Sequence, residues 1–177
     1  MVCGVPIHVE AVDAREAALR AGPHAAALPR AGTSEGRQLR RWLTQLLVTE
    51  QIIAAEAAAS GLTTQDAPPE REVLPDNTAR VELGSITAAA LAQPLGRALY
   101  AHVTSDVNVT DDVVSAYQAR NPHRFANATD VAEHLRAAAR RRAFGIWLDV
   151  RRATLVELSA GYEHPGDPRQ PDNTHRH

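Results

Sequence analysis

SEGRQLRRWLTQLLVTEQIIAAEAAASGL, residues 34–62, is the stretch whose reading decides the fold. Leu39, Trp42, Leu43, Leu46, Leu47, Ile53 and Ala57 fall on the three- and four-residue spacing of one apolar helix face. Ser34 supplies the cap at its start. Ser60-Gly61 supplies the stop, with Gly61 in the left-handed position and Leu62 folding back as the apolar partner of the cap. A helix of this length spans about 40 Å at roughly 1.5 Å per residue, too much surface for one short neighbour to cover. Several partners are therefore expected from the rest of the chain.

Upstream, residues 2–7 are apolar but interrupted by Gly4 and Pro6, which predicts a short edge strand or strand-turn. Val9, Val12, Glu16 and Leu19, closed by Gly22-Pro23, predict a helix of about three turns, and Pro29 and Gly32 make 24–33 a loop. Downstream, the prolines and acids of 62–77 predict an internal linker. Helix resumes over 83–103 through Ala88, Leu91, Leu95, Leu99 and Val103, kinked at Pro94. In Val109-Thr110-Asp111-Asp112-Val113-Val114, Thr110 is the cap, the two acids sit at the positive end of the helix dipole, and Val109 staples onto Val114. That helix ends at Asn121-Pro122. The last helix starts near Thr129, ends near Arg152 and buries Val131, Leu135, Ala138, Ile146 and Val150, with Phe144 and Trp147 flanking that face. Residues 153–158, ATLVEL, alternate and are β-branched, which makes them the expected strand partner of 2–7. The expected architecture is a mainly α body over 1–160 with one long central helix, a small two-stranded terminal β pairing, and a tail over 161–177.

Composition narrows the chemistry. All nineteen basic residues are Arg, so a Schiff-base lysine, a P-loop lysine and a lysine general base are excluded. A net charge of −2 argues against a nucleic-acid binder, and the run Arg140-Arg141-Arg142 is expected to be a solvated helix face. The single cysteine, Cys3, precludes an internal disulfide and a multi-cysteine zinc site, and its expected role is that of a small buried hydrophobe. No stretch approaches the roughly 20 apolar residues of a membrane span, and the N-terminus has no signal-peptide pattern, so a cytoplasmic location is the expectation. No G-x-S-x-G, G-x-G-x-x-G or H-E-x-x-H is present.

The tail carries the one chemical constellation. His164, Asp167, His175 and His177 combine imidazole and carboxylate in the manner of a divalent transition-metal site, and the two-residue spacing of His175 and His177 directs both rings to one side of an extended segment. On this alternative reading the chain is a metal-dependent enzyme or metal-binding accessory protein of a specialised pathway. The competing reading is a polar tail whose histidines bind nothing.

Three stretches together resemble the peptide-binding chaperone domain of SurA-type and PrsA-type foldases, an architecture similar to the substrate-binding part of trigger factor. They are VCGVPIHVEAVDAREAALR, RQLRRWLTQLLVTEQIIAAEAAASGL and VTDDVVSAYQARNPHRF, in the family's order. The resemblance implies a non-enzymatic chaperone or assembly factor that holds an apolar segment of a protein or peptide client. The client would lie in a cleft between the long helix and the 83–103 helix, with Leu43, Leu47, Leu91, Leu95 and Leu99 as its lining. The family's parvulin isomerase domain is missing between Phe125 and the last helix, so isomerase activity is not implied.

Overall fold

The computed structural model describes residues 1–157, which hold eight α-helices: α1 (Val9–Arg20), α2 (Ser34–Ala59), α3 (Glu70–Val73), α4 (Asn77–Leu83), α5 (Ser85–Leu91), α6 (Pro94–Val103), α7 (Asp111–Arg120) and α8 (Ala128–Leu155). The chain divides into two units, one of residues 1–52 with 151 onward, the other of residues 53–150.

In the first unit the start of α2 is capped by Thr33, one residue before the expected Ser34. The Thr33 hydroxyl accepts from the Gly36 amide at 3.1 Å, and its carbonyl accepts from the Arg37 amide at 3.0 Å. Val2, Val12, Leu43, Leu46, Val48 and Ile52 form the apolar core of this unit. Beside them α2 buries polar groups as well. Thr49 is fully buried, donates to the Gln45 carbonyl at 2.8 Å and accepts from Arg152 at 2.6 Å, so its hydroxyl is satisfied in both roles. Arginine and carboxylate pairs fasten α1 to α2. Glu16 accepts from Arg20 Nε and Nη2 at 2.9 and 2.7 Å and from Arg40 Nη1 at 2.7 Å, while Arg40 Nη2 reaches Asp13 at 2.6 Å and Arg15 pairs with Glu50. The Arg20 hydrogen bond is the main reason the Glu16 carboxyl titrates below its ordinary value; burial opposes it and Arg40 adds to it.

The terminal β pairing is overturned: among the described residues there is no strand. Val2 makes isolated antiparallel bridges with Val5 and Val156. The two segments still meet, with the Cys3 amide donating to the Leu155 carbonyl at 3.0 Å and the Glu157 amide to the Met1 carbonyl at 3.0 Å. Two physical facts prevent a ladder. Cys3 and Gly4 turn the chain at positive φ right after Val2, and no Gly or Pro lies between Ile146 and Leu155 to stop α8, which runs on through Leu155. The same turn leaves Cys3 exposed, not buried as its residue type suggested.

In the second unit, the far end of α2 stops as its sequence predicts. Gly61 adopts φ +68°, its amide bonds the Ala58 carbonyl at 3.1 Å, and the Leu62 amide bonds the Ala57 carbonyl at 2.9 Å. The expected linker is instead a packed segment. Thr63 and Asp66 cap a 3-10 turn reciprocally, α3 follows, Val73 and Leu74 are buried, and Arg97 Nε holds the Pro68 carbonyl at 2.9 Å. The expected 83–103 helix is divided into α5 and α6, because Pro94 starts a new helix at its first position and does not kink an old one. Phe144 stacks on Trp147 with ring centroids 5.4 Å apart and meets Tyr100 tilted at 5.3 Å, beside a core that includes Leu91, Leu99, Val131 and Leu148. Burial pushes the Tyr100 phenol above its ordinary pKa, against the opposing charges of Arg140 and Arg141.

Helix α8 begins on Asn127, whose side chain accepts from the Asp130 amide at 2.9 Å. Its C-terminal half presents the opposite face from the one expected. Phe144 and Leu148 are buried, whereas Ile146 and Val150 are 58% and 56% exposed. The arginine run is likewise not a solvated face. Arg140 donates to Thr104 at 2.8 Å and lies over the Tyr100 ring, Arg141 is buried against Glu82 at 2.6 Å, and Arg142 is the exposed one.

Candidate functional site

A concave surface in the second unit lies where α4 turns into α5. Asp76 caps α4 by accepting from the Ala79 amide at 2.9 Å, which fixes the helix start, and buried Ala79 turns one face inward. The helix runs only to Leu83 because Gly84 takes φ +77°, ψ 155°, a conformation that costs any residue with a Cβ. Gly84 both ends α4, bonding back to the Val81 carbonyl at 3.1 Å, and opens α5, accepting from the Ala88 amide at 2.9 Å.

This corner leaves a groove of about 670 Å³ lined by Asn77, Arg80, Val81, Gly84, Ser85, Ala88 and Ala89. Small residues form its floor. Val81, 80% exposed, stands in it as an apolar post, and Asn77, Arg80 and Ser85 bring polar groups to the lining. Arg80 is held by Glu70 at 2.7 Å, an exposed pair that sets the direction of the guanidinium more than the stability of the fold. A groove of this kind can cover one or two apolar side chains of another molecule while the polar groups take up backbone hydrogen bonds at its edge.

Most residues expected to line a client cleft have other positions. Leu43, in the first unit, and Leu91 and Leu99, in the second, are essentially without exposed surface; Leu47 and Leu95 are half-buried. None of the five lines the α4–α5 groove. The metal set His164, Asp167, His175 and His177 lies outside the described residues, and among those residues no group of three His, Cys, Asp or Glu side chains is placed to hold a metal. No described helix is long and apolar enough to cross a membrane.

Sequence reasoning missed the groove itself. The available signal was VELGS, in which a helix that caps on Asp76 meets a glycine and an immediate restart at Ser85, with Val81 facing away from buried Ala79. A second grouping was also missed. Tyr117, Phe125 and His134 pack as mutually tilted rings with centroids 5.1–6.1 Å apart, and Arg124 lies over the Phe125 ring while donating to the Tyr117 hydroxyl at 2.9 Å. This cluster fills the turn between α7 and α8 with its own rings. Thr110, the expected cap of α7, contributes its carbonyl to the Val113 and Val114 amides, and its side chain makes no cap bond.

Residues 1–35 match a family of unknown function, DUF7158. The match covers α1 and, with it, Glu16 and Arg20 of the ion-pair lock. No curated protein and no solved structure matches the chain.

Proposed function

We propose that this chain is a non-enzymatic holding or assembly factor that binds an apolar segment of a client protein in the groove between α4 and α5. The observation that supports this reading is Val81, a large apolar side chain 80% exposed inside a groove whose floor is alanine and glycine. Holding a segment requires only burial of apolar surface and a few edge hydrogen bonds, and the resemblance to foldase chaperone domains points the same way. The client is a protein and not a nucleic acid, in keeping with the net charge of −2, and the setting is the cytoplasm, where a chain with one cysteine needs no disulfide.

The test uses the full chain in an aggregation assay with a chemically denatured apolar client, together with a photo-crosslinking residue at position 81. Expected results are suppressed light scattering, a crosslink to the client, and loss of most of the suppression in Val81→Glu without loss of helicity. Absence of both suppression and crosslink would overturn the reading, as would full protection by Val81→Glu.

A further inference from the structure

Helix α1 has little apolar surface to hold it in place. Val12 and Glu16 are its buried residues, Val9, Ala14, Ala17 and Ala18 face solvent, and its start at His8 carries no side-chain cap. Its fastening to α2 is by charge: Arg40 donates to Glu16 at 2.7 Å and to Asp13 at 2.6 Å, and Arg15 pairs with Glu50. We infer that α1 is a releasable strap over the face of α2 that carries Leu43 and Leu47, held shut by these ion pairs and opened by rising ionic strength.

The periodicity of the two helices places the strap there. At about 100° per residue, Leu47, Leu43 and Glu50 all fall within about 80° to one side of Arg40, so the two anchors on α2 bracket the two leucines. Thr49, which takes its hydrogen bond from Arg152 of α8, lies about 180° from Arg40, so that contact uses a different face. On α1, Val12 stands between Arg15, about 60° to one side, and Glu16, about 40° to the other. Each helix therefore presents apolar side chains flanked by its anchoring charges, and Val12 and Leu43 are both buried, at 2% and 0% exposure. Arg40, Asp13 and Arg15 are each exposed by a third or more, so their attractions are screened once the Debye length falls to about 3 Å in 1 M salt. The intrahelical bonds of α2 do not weaken with them. A freed α1 of twelve residues has the marginal length at which a helix seldom survives alone, so its amides open to solvent when it leaves. Ionic strength thereby sets how much of the Leu43 and Leu47 face the first unit shows.

Hydrogen–deuterium exchange of the full chain at fixed pH reads the strap directly. Between about 0.05 and 1 M NaCl the amides of residues 13–20 should exchange about tenfold faster, through the weakening of the exposed pairs, while those of 44–52 in α2 change by less than about twofold. At low salt, Arg15→Glu and Glu50→Arg should each speed exchange of α1 by about tenfold, and the double swap should bring it back to within about threefold of the parent. In a Cys3→Ser background, Leu43→Cys should react with a maleimide at a rate that rises with salt by the same factor as exchange of α1. The swap keeps the inference falsifiable even where one single variant loosens the whole unit. Exchange of α1 that ignores salt, or that follows residues 44–52 at every salt concentration, overturns the inference. A swap that fails to recover does so too, and so does labelling at position 43 that stays constant while α1 opens, since α1 is then not what covers Leu43.

Discussion

Both units have an apolar core, and they differ in how much charge pairing accompanies it. The first keeps α1 on α2 through directional charge pairs, with Glu16 taking three hydrogen bonds from two arginines, and it holds five of the eight buried polar residues found among the described residues (Glu16, Arg41, Thr44, Gln45 and Thr49). The second adds the Tyr100, Phe144 and Trp147 ring cluster to its aliphatic burial, and its charge pairs, Arg141 with Glu82 and Arg80 with Glu70, each keep a substantially exposed carboxylate. Charge pairs respond to pH and salt, whereas apolar burial responds mainly to shape and volume. The chain carries a reporter for each unit, since Trp42 belongs to the first and Trp147 to the second.

The largest expected effect is on the apolar side. Phe144 has no exposed surface, and Phe144→Ala should cost about 3–5 kcal/mol through lost burial and the cavity left behind. In single-tryptophan variants the urea transition read by Trp147 should move strongly and equally at pH 5 and pH 8. A matching shift read by Trp42 would show that the units unfold as one and would break the comparison.

Glu16→Gln tests the charged side. Its expected cost is about 1.5–3 kcal/mol at neutral pH, the range for hydrogen bonds to charged groups, and it should be read by Trp42. The sign follows from the lowered pKa in the folded state. The unfolded chain takes up a proton near 4.5 while the folded chain resists, so the stabilisation is complete above that value and is lost as pH falls through the folded value. The gap between parent and Glu16→Gln should therefore close in acid. A constant gap from pH 7 to pH 3 would mean that Glu16 acts through packing and not through charge.

What the sequence displayed, and what it concealed, follows the same division. The ends of α2 and α7 were legible because caps and breakers are local: Gly61-Leu62 and Asn121-Pro122 act through their own backbone. The inward face of α8 was not legible, because Phe144/Leu148 and Ile146/Val150 both satisfy the helical period, and the choice between them belongs to the partner surfaces. Arg140 and Arg141 were misjudged for a related reason. An arginine has a long apolar stem and turns inward wherever Thr104, Glu82 or an aromatic ring can meet its head. The strand expected over 153–158 failed because β-branched composition is a weak preference against a helix already under way. The groove at Gly84 is only half legible: VELGS marks where one helix stops and the next restarts, but the angle between the two is set by their packing.

Gly84→Ala sharpens the link between that angle and the proposed holding activity. A Cβ meets no neighbour there, so the cost is purely conformational, about 1–3 kcal/mol for a non-glycine residue at φ +77°, ψ 155°. The chain should remain folded, with Trp147 reporting a modest shift, while client protection falls because α4 and α5 reorient to relieve the strain. Unchanged protection alongside reduced stability would separate the groove from the activity.

The smallest stability effect belongs to the pair beside the groove. Arg80 and Glu70 are both substantially exposed, so Glu70→Gln should change stability by less than about 0.5 kcal/mol, and that difference should vanish in high salt. Binding should respond more than folding does. With Glu70 neutralised, the Arg80 guanidinium turns its full charge towards whatever occupies the groove, so clients with an acid beside their apolar segment should be held more tightly and clients with a basic residue there less tightly. Paired competition assays on two peptides that differ only in that flanking charge would read the change as a shift in their affinity ratio at low salt. A ratio that does not move would place the client away from Arg80, on a surface other than the groove that Arg80 borders.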